Sequence, residues 1–285
     1  IFNSRFSQVN FYNFFEYLVR IFRLTEFSFI KGSVVASTNR TDGTPGQRRT
    51  CLALLVAAFL LQACGGSDGG PSQPEQPVPV ERLFDFGQGS AGWISGSADY
   101  SALTAPNDVI AEIRSMPNPF TGWGYFQSGT NRSDDLFLYI KSPVDGLVPG
   151  VTYRLSANLQ FLTNVPSGCV GVGGSPGESV WLVLAASSAE PLNLISGGDT
   201  RLNIDRGNQS IGGSSGVVLG TMANTVSDCG EPRWESKALS TALTNRLSVK
   251  ADEKGVIWVL IGFDSGFESL SQLYYQRLSL NLQPI

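Results

Sequence analysis

The feature that most constrains this chain is an unbroken alternation of apolar and polar residues that begins at Val151 and ends at Phe161. Its apolar members are Val151, Tyr153, Leu155, Ala157, Leu159 and Phe161, and its polar members are Thr152, Arg154, Ser156, Asn158 and Gln160. Successive side chains of a β-strand point to opposite faces, so the alternation predicts a strand with one face in a core and the other in water. Pro149-Gly150 predicts the turn that leads into it.

Short apolar runs bounded by Gly, Pro, Asn, Asp or Ser recur between Leu83 and Leu282. This pattern is typical of an all-β sandwich or barrel. The further predicted strands are Leu83–Phe86, Val109–Arg114, Gly122–Gln127, Leu136–Lys141, Val180–Ala186, Val217–Thr221, Arg246–Lys250, Val256–Gly262 and Leu273–Leu282. Val180–Ala186 and Val256–Gly262 are almost wholly apolar, which predicts central strands covered on both faces. Only Ser236–Thr244 is predicted to be a short helix. The sequence therefore predicts an all-β, two-sheet β-sandwich.

A secretory signal is predicted upstream of this region. The basic pair Arg48-Arg49 precedes an apolar run from Leu52 to Leu61, and Ala63 and Cys64 follow. With a cysteine at the cut, the segment resembles a bacterial lipoprotein signal and its lipobox. That resemblance implies lipid on Cys64, a membrane partner and, because Gly65 follows, an outer-membrane location. Simple secretion or an uncleaved anchor are the alternatives, although the apolar run is shorter than a spanning helix requires.

These features divide the chain into four parts. Residues 1–46 are predicted to be a non-native N-terminal extension, because their phenylalanine-rich sequence has no clean period and precedes the export signal. Residues 47–63 are the signal peptide, residues 64–80 a tether rich in Gly and Pro, and residues 81–285 one β-sandwich domain. The interpretation that residues 14–29 form an amphipathic membrane segment remains an alternative.

Composition excludes several functions. The chain has no histidine, which removes Ser-His-Asp and Cys-His catalysis and the usual zinc sites. Residues 64–285 carry 13 basic and 21 acidic residues, a net charge of −8 that argues against nucleic acid as a partner. The glycine-rich run from Gly171 to Gly177 lacks the lysine and the following helix of a phosphate loop, so no nucleotide is expected either.

Cys169 and Cys229 are predicted to form a disulfide. If Cys64 carries lipid, they are the two cysteines left in the exported part, and an oxidising compartment favours their pairing. Two free thiols are the alternative.

Three stretches resemble the galactose-binding-like jelly rolls, a group that includes many carbohydrate-binding modules. They are Phe84-Asp85-Phe86 with Gly92-Trp93, the run from Gly146 to Ser156 (Gly-Leu-Val-Pro-Gly-Val-Thr-Tyr-Arg-Leu-Ser), and Leu273-Tyr274-Tyr275. The resemblance implies a jelly-roll sandwich with a glycan ligand. The chain departs from that pattern at Gln276 and Arg277, where such domains often carry acidic residues. The chain also resembles an uncharacterised group of bacterial lipoproteins, which implies no activity.

Candidate ligand-binding residues are aromatic and polar groups in loop-like sequence. The first choice comprises Trp123, Tyr125, Asn131, Arg132, Asp134 and Asp135, because sugar rings stack on aromatic faces while polar groups bind their hydroxyls. Asp205 and Asn208 are the second choice, and Trp93 and Trp234 are further stacking candidates. Trp181 and Trp258, within apolar strands, are expected in the core. The alternative is that the loop tryptophans also pack inward and that Asp134 and Asp135 cap a turn.

The acidic loops suit a structural Ca²⁺ ion by ligand type, although none has EF-hand spacing, and no metal ligand set is assigned. The residues and the two resemblances together predict a lipid-anchored, non-catalytic envelope protein. Its resemblance to carbohydrate-binding modules implies a carbohydrate ligand, and loops are the expected binding surface. An assembly protein with protein partners is the second interpretation. A glycoside-active enzyme with a carboxylate pair is the third.

Overall fold

The computed structural model describes residues 76–285, so the predictions for Cys64, for the signal at 47–63 and for residues 1–46 lie outside the described residues. The described part is built from antiparallel strands and has one short 3-10 turn at Phe86–Gln88. Within residues 76–285 no helix is long and apolar enough to cross a membrane.

Two antiparallel sheets form a sandwich. Sheet 1 has the order β14-β7-β17-β5-β4, with β15 beside β14 on the edge of β7 and β1 beside β5 on the edge of β17. Its strands are β1 (Val80–Asp85), β4 (Asn107–Ser115), β5 (Trp123–Thr130), β7 (Thr152–Thr163), β14 (Glu235–Ser240), β15 (Ser248–Lys250) and β17 (Leu270–Pro284). Sheet 2 has the order β13-β8-β16-β6-β2. Its strands are β2 (Ile94–Ala98), β6 (Leu136–Val144), β8 (Val180–Ser187), β13 (Gly216–Thr221) and β16 (Ile257–Ser265).

The core lies between the inner faces of the two sheets. The predicted apolar face of β7 is buried there, with Tyr153, Leu155 and Phe161 fully inaccessible. The inner face of sheet 2 supplies alternate residues such as Leu184 and Ile261. The all-β, two-sheet prediction is confirmed, and β8 and β16 are the buried inner strands expected from their apolar sequences.

The segment predicted as a helix is a strand. Residues 235–240 form β14, which pairs along β7 from Thr163 to Asn158 and leaves Ser236–Thr244 with no helical turn. Leu239 packs on the core while Ser240 is exposed, so the segment alternates as an edge strand does. Pairing with β7 and burial of Leu239 override the helix propensity of Lys, Ala and Leu, because propensity is small beside tertiary contacts.

Residues 190–215 lie over the outer face of sheet 2, and we call them the cover segment. They contain four short strands: β9 (Asn193–Ser196), β10 (Asp199–Leu202), β11 (Gly207–Asn208) and β12 (Ile211–Gly212). β10 also pairs with β3 (Tyr100–Ser101). Leu202 and Ile204 pack on the outward residues of sheet 2, including Phe137 and Leu260.

The predicted disulfide is confirmed. Cys169 and Cys229 are bonded, with their Cα atoms 5.8 Å apart, and the bond spans 60 residues. It joins the loop after β7 to the loop before β14.

Candidate functional site

The first-choice residues do not form one surface. Trp123 begins β5, and Asn131 follows its last residue, so eight residues of extended chain separate the two, or about 27 Å. The polar cluster of Arg132 and Asp134 therefore lies at the other end of the strand from the indole of Trp123. The expectation that these groups share a concave surface is wrong.

Two of the first-choice side chains are structural. Tyr125 is 5% exposed and its ring packs edge-on against Phe86 in the core, where burial raises the pKa of its phenol. Asn131 is 2% exposed. Its side-chain amide donates to the carbonyl oxygens of Ser265 and Phe267, at 2.7 Å and 3.0 Å, and so joins two loops. Neither side chain has a free face for a ligand.

The other tryptophans also differ from expectation. Trp93 is 2% exposed and packs against Phe84 in the core, so it has no face for stacking. Trp234 is half-buried against Tyr274. Trp181 and Trp258 are half-buried on the outer face of sheet 2, because each is out of step with the inward residues of its strand.

At Asp135, the structure brings together residues from the first-choice and second-choice sets of predicted ligand-binding residues. The side-chain amide of Asn208 lies 3.5 Å from Oδ2 of Asp135, and Arg201 donates to the same oxygen at 3.2 Å. Asp205 instead closes its own loop by accepting from the backbone amide of Ser214 at 2.8 Å, and this hydrogen bond lowers the pKa of Asp205. Asp135, Asp205 and Asn208 thus belong to the packing of the cover segment.

A buried ionic cluster, which the sequence analysis missed, lies beneath the cover segment. Arg206 is 5% exposed and donates to Asp99 and, at 2.5 Å, to Asp264 of β16, while its guanidinium stacks 3.9 Å from the ring centre of Phe137. Arg201 adds ion pairs to Asp99 and Asp135. The members come from parts of the chain up to 165 positions apart, so no local pattern shows them.

The cluster has more acid than base. Asp99, Asp135, Asp199 and Asp264 face two arginines. Burial, followed by the nearby charges of Asp264 and Asp99, raises the pKa of Asp135 to about 6. Oδ1 of Asp135 and Oδ1 of Asp264 are buried, and no donor among residues 76–285 reaches them.

The structure gives no evidence that these acids bind a metal ion. Residues 76–285 hold no group of three or more Asp, Glu, His or Cys side chains arranged to bind a metal. The acids of the cluster are instead satisfied in the main by arginine, and the prediction of a structural Ca²⁺ remains a prediction from the sequence alone.

An open groove crosses the outer face of sheet 1. Its larger part is a cavity of about 780 Å³ over β1, β17 and β7, bordered by the connection from β14 to β15. Its smaller part, about 510 Å³, lies over the bulge of β17 and reaches Trp123. The two parts adjoin, because Asn158 lines the larger and Gln160, the next outward residue of β7, lines the smaller. We call the two together the outer groove.

Neutral polar side chains form a hydrogen-bonded floor along the outer groove. Asn158 donates to the hydroxyl of Ser240 at 2.7 Å, and Gln160 donates to the hydroxyl of Ser236 at 3.1 Å. That Ser236 hydroxyl donates in turn to Oε1 of Gln276 at 2.8 Å. These contacts hold the side chains in place and leave further donors and acceptors directed to solvent.

Trp123 stands at one end of the outer groove and is 54% exposed. Gly122 before it has a φ of +89°, a conformation that favours glycine. Nearby, Asp85 and Arg277 form an ion pair at 3.2 Å. Of the first-choice residues, Trp123 is the one that the structure places in this groove.

The signal for the outer groove was present in the sequence. Arg154, Ser156, Asn158 and Gln160 are the polar half of the alternation in β7, which the sequence analysis interpreted as a solvated face. A strand face in contact with water and one that binds a polar ligand share that pattern.

No protein-family model matches the chain, and no curated protein matches it. Solved structures with some similarity include a carbohydrate-binding module, TmCBM61, in complex with β-1,4-galactotriose. It is 11% identical, has a TM-score of 0.31, and the match covers 69% of this chain and 92% of that one. A mannan-recognising module, TmCBM27, is 11% identical at a TM-score of 0.32, with 71% and 97% covered.

A third similar structure is the enzymatically active domain of tailspike protein 4 from bacteriophage CBA120, at 8% identity and a TM-score of 0.30. That match covers 68% of this chain but only 20% of the tailspike chain. Similarity at this level assigns no function, so the functional argument below depends on the surface of the protein.

Proposed function

We propose that this protein binds a carbohydrate chain in the outer groove, without catalysis, while lipid on Cys64 holds it at a membrane surface. The observation that carries the proposal is the groove itself: an open channel whose floor carries amide and hydroxyl side chains beside charged and apolar residues, with an exposed indole at one end.

The lining suits sugar hydroxyls, because each hydroxyl both donates and accepts a hydrogen bond. Asn158, Gln160, Asn281 and Gln283 offer both functions in one side chain. Hydrogen bonds to Ser240, Ser236 and Glu81 hold Asn158, Gln160 and Asn281, respectively, in position before a ligand arrives, which lowers the entropy cost of binding. The half-exposed face of Trp123 supplies an apolar surface for a sugar ring.

The carboxylates of the groove favour binding over hydrolysis. Glu81 and Asp85 both point outward from β1, four residues or about 13 Å apart along the strand. A glycosidase pair lies about 5–9.5 Å apart. Asp85 is also ion-paired with Arg277, and Glu81 accepts from Asn281.

Assembly with protein partners is the second candidate function. It is favoured by the β9–β10 hairpin of the cover segment, where Leu194 and Ile195 are exposed beside Leu192. An outward apolar patch of this kind can contact another protein.

The membrane part of the proposal concerns Cys64 and an outer-membrane location. It is supported by the apolar run and the small residues before Cys64, and by the Gly/Pro-rich stretch after it. Cys64→Ser should release the protein from washed membranes. Retention of that variant after alkaline extraction would contradict the lipid anchor.

The glycan part is tested by affinity electrophoresis of the full chain through gels that contain soluble polysaccharides. We expect retardation by at least one polysaccharide, and loss of most of it in Trp123→Ala and in Asn281→Ala. Val170→Ala is the control, because Val170 is an exposed apolar residue that lies outside the groove. Equal retardation of all variants would reject the outer groove as the site.

A further inference from the structure

We infer that the ligand of the outer groove is an anionic polysaccharide, whose carboxylate or sulfate groups bind a cationic patch formed by Arg154, Arg246 and Lys250. The inference rests on the proposed function and adds a ligand class to it.

The strand register places the three cations together on the outer face of sheet 1. Ser248 of β15 pairs with Arg154 of β7. Arg246 and Lys250, each two residues from Ser248, are therefore diagonal neighbours of Arg154, at about 7–8 Å. Leu247 and Val249 between them are buried in the core, so the charged side chains point outward.

None of the three cations is neutralised within the described residues. Over residues 76–285, Arg154, Arg246 and Lys250 form no salt bridge, and no side-chain hydrogen bond from them is present. By contrast, Arg277 at the other end of the groove is paired with Asp85. Like charges at this spacing repel each other, so an unpaired cluster of cations costs stability that an anionic ligand would offset.

The nearby acids already have structural contacts. Glu81 lies on β1, which is separated from β7 by β17, and its carboxylate accepts a hydrogen bond from the Asn281 side chain. Asp252 accepts from the backbone amides of Lys254 and Val256 and so closes the turn after β15. Glu253 lies at the tip of that turn and forms no ion pair with the described cations.

Arg154 connects the cationic patch to the groove. Its side chain lines the larger cavity together with Asn245 and Gln283. A guanidinium presents a planar fork that matches a carboxylate, so Arg154 can bind one acidic sugar while the adjacent amides bind neutral hydroxyls. Residues 64–285 carry a net charge of −8, so a cluster of three cations runs against the overall charge of that part of the chain.

The experiment compares matched pairs of polysaccharides that share a backbone and differ in charge. The probes are polygalacturonate with its methyl ester, carboxymethyl cellulose with methyl cellulose, and double-stranded DNA as an unrelated polyanion. Affinity electrophoresis of the full chain measures binding at about 50 mM and about 500 mM salt, because salt screens exposed charges. We expect the anionic member of at least one pair to bind tenfold or more tightly than its neutral partner, and less tightly in high salt.

Arg154→Gln should lower that affinity about tenfold or more, the loss expected when a charge-assisted hydrogen bond is removed. Arg132→Gln, which removes an exposed charge at the far end of β5, is the matched control and should change little. Equal binding of charged and neutral partners, with no effect of Arg154→Gln, would overturn this inference and leave the proposed function standing. Binding of DNA as tight as that of the best glycan would overturn it as non-specific, and binding of no polysaccharide would overturn both.

Discussion

The two sheets of the sandwich present outer faces of opposite character. The outer face of sheet 2 is covered by residues 190–215, and the charges beneath that segment are paired in a buried cluster around Arg206. The outer face of sheet 1 carries the open groove, and its cations at Arg154, Arg246 and Lys250 are exposed. Charge that is buried and paired fixes the position of one segment against another, whereas charge that is exposed and unpaired is available to a ligand.

The largest expected effect is on the covered face. Arg206→Met should lower the free energy of unfolding by about 3–5 kcal/mol, because it leaves Asp264 buried without an ion-pair partner and leaves Asp99 with Arg201 alone. Urea unfolding followed by tryptophan fluorescence measures the change.

Arg154→Met on the open face is the matched control, and we expect a change within about 0.5 kcal/mol there. A loss of similar size in both variants would remove the distinction between the two faces.

The second effect is a dependence of stability on pH that arises at Asp135 on the covered face. The pKa of Asp135 is raised to about 6 in the folded protein from its ordinary value of 3.8, so the folded state binds the proton more tightly. The contribution of Asp135 to stability is therefore fully present below pH 3.8 and is lost as the pH rises through about 6, by up to about 3 kcal/mol.

Asp135→Asn removes this titration. Between pH 4 and pH 8, the stability of the wild type should fall relative to that of the variant, as measured by urea midpoints at each pH. Parallel profiles of urea midpoint against pH for the two proteins would show that the pKa of Asp135 is not raised in the folded protein.

Most strands of the two sheets could be predicted from the sequence because their patterns are local, whereas β2 and the short strands of the cover segment were not predicted. Every predicted strand forms, and the pairing of Cys169 with Cys229 followed from the expectation that Cys64 carries lipid, which leaves these two cysteines to pair. The helix predicted at Ser236–Thr244 failed because the free edge of β7 decides its structure, and that edge belongs to residues about 80 positions away.

The candidate site was less predictable. Tyr125 and Asn131 have the composition of a binding loop, but their burial depends on how β5 sits between β4 and β17. The polar face of β7 was visible in the sequence. Whether that face lines a groove depends on the neighbouring strands and on the connection between β14 and β15, which forms one border of the groove. Asp99, Arg206 and Asp264 are brought together by pairing across the whole domain.

A third prediction concerns the contacts that hold the cover segment to sheet 2. The Tyr139 hydroxyl donates to Oδ1 of Asn193 at 3.1 Å, and burial raises the pKa of Tyr139 to about 12. Tyr139→Phe keeps the ring and loses the hydrogen bond, so we expect a loss of about 0.5–1.5 kcal/mol. Thermal unfolding of the variant measures it, and a loss above 3 kcal/mol would mean that the ring packing has changed as well.

The smallest effect on stability is expected in the outer groove. Asn158→Ala should change the free energy of unfolding by no more than about 0.5 kcal/mol, because its contact with Ser240 is exposed. The same variant should weaken glycan binding in the electrophoresis described above. Large destabilisation without any change in binding would indicate that the groove floor is structural.

The cover segment also has a consequence for valency. Since residues 190–215 occupy the outer face of sheet 2, the outer groove lies on sheet 1 alone within the described sandwich, and that sandwich offers one such groove. A protein with one site gains avidity for a repeating polymer only when many copies are held near one another. Under the proposed lipid anchor and glycan ligand, the strength of attachment to a long polysaccharide would therefore be set by the number of anchored copies per unit area of membrane.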